Sequence, residues 1–248
     1  MKKLFISVAI LVGWSLCVNS QDAKEIVRKA YEKSNGNSSY TEMTMKIVRP
    51  TYERSISMKA WSLGTKYSMV YITAPAKEKG QVHMKRDKEM WNWQPTINRM
   101  IKLPPSMMMQ SWMGSDFTND DLINQASIVN DYTHKILGSE NYDNYKCYKI
   151  ELIPKENSNV VWGKIILLIS KDEDFILKSE YFDEDQDLIK TELASEIKIL
   201  GGKNIPTKFT TIPADKQGNK TIMIMDNIIF DYKLDEAFFT QQNMKKVK

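Results

Sequence analysis

Two stretches near the start of the chain, Glu42-Met-Thr-Met-Lys-Ile47 and Ile56-Ser-Met-Lys-Ala60, decide how the rest is read. In the first, Met43, Met45 and Ile47 alternate with Glu42, Thr44 and Lys46; in the second, Ile56, Met58 and Ala60 alternate with Ser57 and Lys59. A period of two sends successive side chains to opposite faces of an extended backbone, the pattern of a strand. Further along, strand-like runs recur at 67–72, 82–84, 89–93, 99–103, 133–137, 147–153, 161–169, 175–182, 188–199, 206–211 and 221–230. Plain turn signals separate them, among them Ser62-Leu-Gly64, Lys171-Asp-Glu-Asp174, Gly201-Gly202 and Asp215-Lys-Gln-Gly-Asn219. Spacings this short join neighbours by hairpins rather than helical crossovers, so the sequence predicts an antiparallel meander of about a dozen strands, mainly β with a few helices.

Upstream, Ala23, Ile26, Val27, Ala30 and Tyr31 fall at helical spacing, which predicts one amphipathic helix over 22–33. Residues 104–130 interrupt the strands: Pro104-Pro105 ends one, and Thr118-Asn-Asp-Asp121 reads as a capping box opening a short helix through Gln125. The run Ile165-Ile-Leu-Leu-Ile169 is apolar on both sides, as are Ile222 to Phe230 in part, so some of the sheet is expected to be covered on both faces or to line a closed cavity. The first residues, Met1-Lys2-Lys3, an apolar run from Leu4 to Val18 and the small-residue end at Ser20, have the three parts of a secretory signal peptide. Residues 1–20 are therefore expected to direct export, and 21–248 to form a single domain.

Composition excludes several classes. With 42% hydrophobic and 27% charged residues, the chain is globular, and a net charge of +4 that includes Lys2 and Lys3 gives no basic field for nucleic acid. Cys147 is the one cysteine after residue 20, so an internal disulfide is excluded and it reads as a small buried hydrophobe. His83 and His134 have no partner at metal spacing and read as surface or half-buried residues. Asp183, Asp185 and Asp187 have the opening spacing of a calcium loop, but Leu188 and Ala194 stand where glycine and a bidentate glutamate are required. Asp116, Asp120 and Asp121 are explained by helix capping. No catalytic residue, metal ligand or cofactor is assigned.

Residues 84–113 are the unusual stretch. They contain Met84, Met90, Met100, Met107, Met108, Met109 and Met113 together with Trp91, Trp93 and Trp112. Methionine is a gap-filler in cores and also an adaptable surface for varied apolar partners. The triplet Met107-Met-Met109 follows Pro-Pro outside any strand, and both readings, core and apolar flap, stay open for it.

The run Met90-Trp-Asn-Trp-Gln-Pro-Thr-Ile-Asn-Arg-Met-Ile-Lys-Leu-Pro104, followed by Trp112-Met-Gly-Ser-Asp-Phe-Thr-Asn-Asp-Asp-Leu122, resembles the signature of the LolA-like outer-membrane lipoprotein-sorting proteins, and a less characterised branch of them. The resemblance extends in order from the opening helix to Leu234-Asp-Glu-Ala-Phe-Phe239 before a final short helix. It implies a curved, unclosed antiparallel β-barrel of the LolA/LolB type, with helices plugging the concave face over an apolar cavity. It implies a non-enzymatic periplasmic carrier of lipoprotein acyl chains or lipid, transferring toward the outer membrane, with an inner-membrane transporter and an outer-membrane acceptor as partners. Trp61, Trp91, Trp93, Met107, Met108, Met109, Trp112 and Phe117 are the candidate lipid-binding residues. Arg99 is a candidate for orienting a head group or pairing with Asp116. The alternative is an accessory docking subunit of an export or envelope-assembly system; an enzyme acting on envelope glycans ranks last.

Overall fold

In the computed structural model, which describes residues 15–124, 127–156, 158 and 160–248, the alternating runs become thirteen antiparallel strands of one sheet. They are β1 (Ser38–Arg49), β2 (Tyr52–Leu63), β3 (Tyr67–Ala74), β4 (Val82–Arg86), β5 (Glu89–Gln94), β6 (Arg99–Lys102), β7 (Tyr132–Tyr142), β8 (Tyr145–Pro154), β9 (Lys164–Ser170), β10 (Ile176–Phe182), β11 (Leu188–Leu200), β12 (Lys203–Pro213) and β13 (Lys220–Phe230). Their order is β6-β5-β4-β3-β2-β1-β13-β12-β11-β10-β9-β8-β7. Two meanders therefore meet where β1 pairs with β13, and the sheet keeps free edges at β6 and β7 instead of closing. This is the unclosed antiparallel architecture that the resemblance implies.

The topology fixes the role of the interruption. Because β6 and β7 lie at opposite edges, the connection between them, residues 103–131, must cross a face of the sheet; we call it the strap. It carries α2 (Asn119–Asn124) and α3 (Ser127–Asn130). The predicted capping box forms: Thr118 Oγ1 accepts from Asp121 N at 3.1 Å and Asp121 Oδ2 from Thr118 N at 2.7 Å. Gln125, where that helix was expected to end, lies outside the described residues, as do residues 1–14 of the expected signal segment.

Register sorts the apolar side chains onto two faces. Met45 opposes Ile56, Met43 opposes Met58, Met58 opposes Ile72 and Val70 opposes His83, so these share the strap's face. Trp61 opposes Met69, Met69 opposes Met84, Met84 opposes Trp91, and Val82 opposes Trp93, which sets these on the other face. That second face is covered by the C-terminal segment, whose Phe239 and Met244 are buried against it, the latter from α4 (Gln241–Met244). In the other half of the sheet, α1 (Ser15–Asn35) packs Ala23, Val27 and Ala30 on Ile150, Leu152, Ile165 and Leu167. Helix α1 starts before the predicted 22–33, and α4 packs on the face of the sheet opposite the strap. The two-sided burial predicted for the run Ile165 to Ile169 is present, with Leu168 packed on Cys147, Phe175 and Leu177 on the reverse side. It fails for β13, where Ile229 is 45% exposed. No helix among the described residues is long and apolar enough to cross a membrane.

Candidate functional site

The seam between strap and sheet is the candidate site. From the strap, Trp112, Phe117, Met108, Met113, Leu103 and Leu122 pack on Met45, Ile47, Ile56, Met58, Ile72 and Met90 of the sheet. Burying a surface of this kind is worth roughly 25 cal/mol per Å² of apolar area; the isolated bridge between Ser111 and Thr118 lies within the strap and does not pair it with the sheet. Locally the strap folds on itself. Met113 and Gly114 both adopt left-handed backbone (φ 52° and 76°), and Ser115 N donates to Trp112 O at 2.9 Å, the geometry of a tight reversal in which Gly114 avoids the Cβ penalty. Trp112 N donates to Phe117 O at 2.8 Å and Asn119 Nδ2 to Met107 O at 2.9 Å, closing the loop.

Polar anchors fasten this loop to the sheet. Arg49, from the end of β1, donates through Nη1 to Asp116 Oδ2 and through Nη2 to Gly114 O, both at 2.9 Å. Thr221 of β13 donates its hydroxyl to Asp116 Oδ2 at 2.7 Å and accepts from Asp116 N at 2.9 Å. Arg54 Nη2 adds a bond to Met113 O at 2.5 Å. A second anchor lies in α2, where Asp121 Oδ2 accepts from Lys190 Nζ at 2.7 Å and Asp121 Oδ1 from Trp162 Nε1 at 3.2 Å.

The sequence candidates separate into two groups. Trp112 and Phe117 are buried under the strap and Met108 is half-buried beside them, so for Met108 the core reading holds. Met107 is half-buried, and Met109 is 53% exposed on the strap's outer side. Trp61, Trp91 and Trp93 lie across the sheet, packed with Phe238, Phe239 and Met244, and so do not share a lining with Trp112. Arg99 is exposed at the β6 edge and the partner of Asp116 is Arg49, which corrects the Arg99–Asp116 pairing. Among the described residues these side chains pack the seam, and between strap and sheet they leave a void of about 10 Å³ lined by Ser68, Val70, His83, Met84, Lys85, Met90 and Leu122. A wider hollow of about 350 Å³ is an open groove on the C-terminal segment, lined by Asp235, Phe238, Gln242 and Lys246 among others, away from the strap.

Both histidines are buried, beyond the surface or half-buried positions expected of them. His134 shares a 2.6 Å hydrogen bond with Ile128 O. His83 lies within the seam: Nδ1 meets Asn92 Oδ1 at 2.9 Å, and its ring stands edge-on to Trp112 at 5.4 Å between centroids. His83 Nε2 and Trp112 Nε1 have no hydrogen-bond partner among the described residues, so this part of the seam is the least satisfied. Burial pushes the His83 imidazole down to about 4, against the opposing effect of Asn92. Its unfolded value is about 6.5, so between about pH 6.5 and about pH 4 the unfolded chain takes up a proton that the folded chain refuses. Stability should therefore fall as pH drops through that window, by up to about 1.4 kcal/mol per pH unit. Denaturant midpoints at pH 7 and pH 5 should show this loss, and His83→Gln should make the slope shallower. An equal slope in the variant would place the effect elsewhere.

Among the described residues no group of three or more histidine, cysteine or acidic side chains is placed to hold a metal ion, and the aspartates at 183–187 form a turn in which Asp183 Oδ1 accepts from Asp187 N. Cys147 is free and buried, as expected.

Comparison with known proteins places this geometry. Residues 64–246 match the model of a family described as "Uncharacterized protein". No curated protein matches. Among solved structures, a DUF1329 family protein from Desulfovibrio piger is 22% identical with a TM-score of 0.82, covering 91% of this chain and 99% of its own. A domain from Vibrio parahaemolyticus assigned to outer membrane lipoprotein sorting is 19% identical with a TM-score of 0.79, over 92% of this chain and all of its own. A LolA superfamily protein from Nitrosomonas europaea is 24% identical with a TM-score of 0.76, over 89% and 98%.

Proposed function

The chain belongs to the family whose model matches residues 64–246 and has the fold of the LolA superfamily, and from that premise we propose that it is a non-enzymatic carrier of acyl chains. The observation that supports this reading most is the strap: a Met-rich segment carrying Trp112 and Phe117, lying on an apolar sheet face and fastened by a few polar anchors rather than by strand pairing. Lifting it would uncover Met45, Met58, Ile72 and Met90 together with the underside of Trp112 and Phe117, a trough that an acyl chain can fill. Keeping a sixteen-carbon chain out of water is worth roughly 12 kcal/mol at ~0.8 kcal/mol per methylene, a gain that offsets part of the opening of such a seam. In this reading residues 1–20 export the protein to the periplasm, and the cargo is the acyl part of a lipoprotein or lipid, received from an inner-membrane transporter and passed to an outer-membrane acceptor.

A second reading, a docking subunit of an envelope-assembly system with no free cargo, draws on the fact that the strap face is filled by the protein's own side chains. Native mass spectrometry of protein released gently from the periplasm, followed by solvent extraction, separates the two. The carrier should arrive with one acyl-bearing molecule per chain. Ligand-free protein that also fails to take up a fluorescent fatty acid would favour the docking subunit.

A further inference from the structure

The second anchor of the strap has the composition of a binding site for an anion. Lys190 of β11 is only 3% exposed, and its Nζ lies 2.7 Å from Asp121 Oδ2 and 3.0 Å from Glu192 Oε1. Aromatic rings surround that ammonium, with centroids at 4.5 Å (Tyr181), 5.1 Å (Trp162) and 5.6 Å (Phe117). Glu192 is also tied to the sheet, accepting from the Tyr181 hydroxyl at 3.2 Å. Burial acts to lower the Lys190 pKa, but the two carboxylates outweigh it and the ammonium stays charged.

These groups have two origins. Lys190 and Glu192 are on β11, Tyr181 on β10 and Trp162 on the connection from β8 into β9; Asp121 and Phe117 belong to the strap. With the strap lifted, the sheet would present two donors that now serve one carboxylate, the Lys190 ammonium and the Trp162 indole N–H, walled by two aromatic rings. Trp162 also joins the apolar cluster of Ile165, Leu167 and Ile169, so an acyl chain has a surface beside this seat. The closed state already holds two carboxylates around one ammonium; an incoming anion in place of Asp121 repeats that charge count.

We propose that Asp121 occupies the seat of the cargo's anionic head group, and that an acyl chain ending in a carboxylate or phosphate displaces it when the strap opens. This rests on the carrier reading and adds a class of cargo to it.

The test is equilibrium binding of oleate, oleoyl lysophosphatidic acid and oleyl alcohol, which share one chain, to the wild-type protein, Lys190→Met and Asp121→Asn. At least one of the two anions should bind wild type ten-fold or more tightly than the alcohol, and the tighter one assigns the source as carboxylate or phosphate. Lys190→Met should bring that anion to within about two-fold of the alcohol, while Asp121→Asn should tighten the anion several-fold more than the alcohol. Equal wild-type affinity for alcohol and anions, or equal weakening of all three ligands in Lys190→Met, would overturn the proposal and leave Lys190 as a fastener of the strap in a carrier. If Lys190→Met does not fold, Asp121→Asn decides: an anion preference no greater than wild type overturns the proposal. Binding of none of the three would overturn the carrier reading with it.

Discussion

Arg49→Ala is expected to lower the unfolding free energy by about 3 kcal/mol, measured by urea denaturation of variant and parent side by side. The side chains of Arg49 and Asp116 are 12% and 5% exposed, so the pair sits largely out of water. Removing one partner of a buried pair leaves the other charge uncompensated, and about 3 to 5 kcal/mol is the usual cost; the partial exposure of Arg49 sets the estimate at the low end. The loss also removes the Arg49 Nη2 bond to Gly114 O, an exposed carbonyl that water can serve, so this part adds little. Because the cost arises from an orphaned carboxylate, Arg49→Ala with Asp116→Ala should lose less than the sum of the two single variants, by more than about 1 kcal/mol. Additive losses would show that the clamp contributes nothing as a pair.

Most of the strands could be read directly from alternation, because a strand with one buried face writes its period into the sequence. The capping box at Thr118 to Asp121 was equally plain, since its bonds are local. What alternation cannot do is say which face of the sheet each apolar set occupies relative to a distant segment. Trp61, Trp91 and Trp93 look like partners of Trp112 by composition, yet register places them across the sheet, where Phe239 and Met244 cover them. No local signal marks Arg49, because its partner is 67 residues away, whereas Arg99 lies closer in sequence to Asp116. Lys190 was hidden by the opposite habit: it follows Leu188 and Ile189, both more than a third exposed, while the lysine itself is buried. The usual association of apolar with inside fails at that point, because Asp121, Glu192 and three aromatic rings gather around the ammonium from separate parts of the chain. Such an inversion, apolar out and charge in, is itself a mark of a built site.

The second large effect concerns opening. If the strap must leave the sheet for an acyl chain to enter, tying it down should stop uptake while leaving the fold intact. Asp116 and Thr221 are suited to the purpose because their side chains already meet at 2.7 Å across the seam, one on the strap and one on β13. Asp116→Cys with Thr221→Cys, in a Cys147→Ala background that removes the buried free thiol, would place a reducible bond there. The reduced form lacks the Asp116 carboxylate, so its strap is held less tightly than in the parent and should admit ligand at least as readily. The measurement that tests the account most directly is fluorescent fatty-acid uptake by this variant before and after reduction. Uptake should be at least ten-fold lower when the variant is oxidised and be restored by reductant; equal uptake in the two states would contradict an opening strap, because the cargo would then bind without moving it.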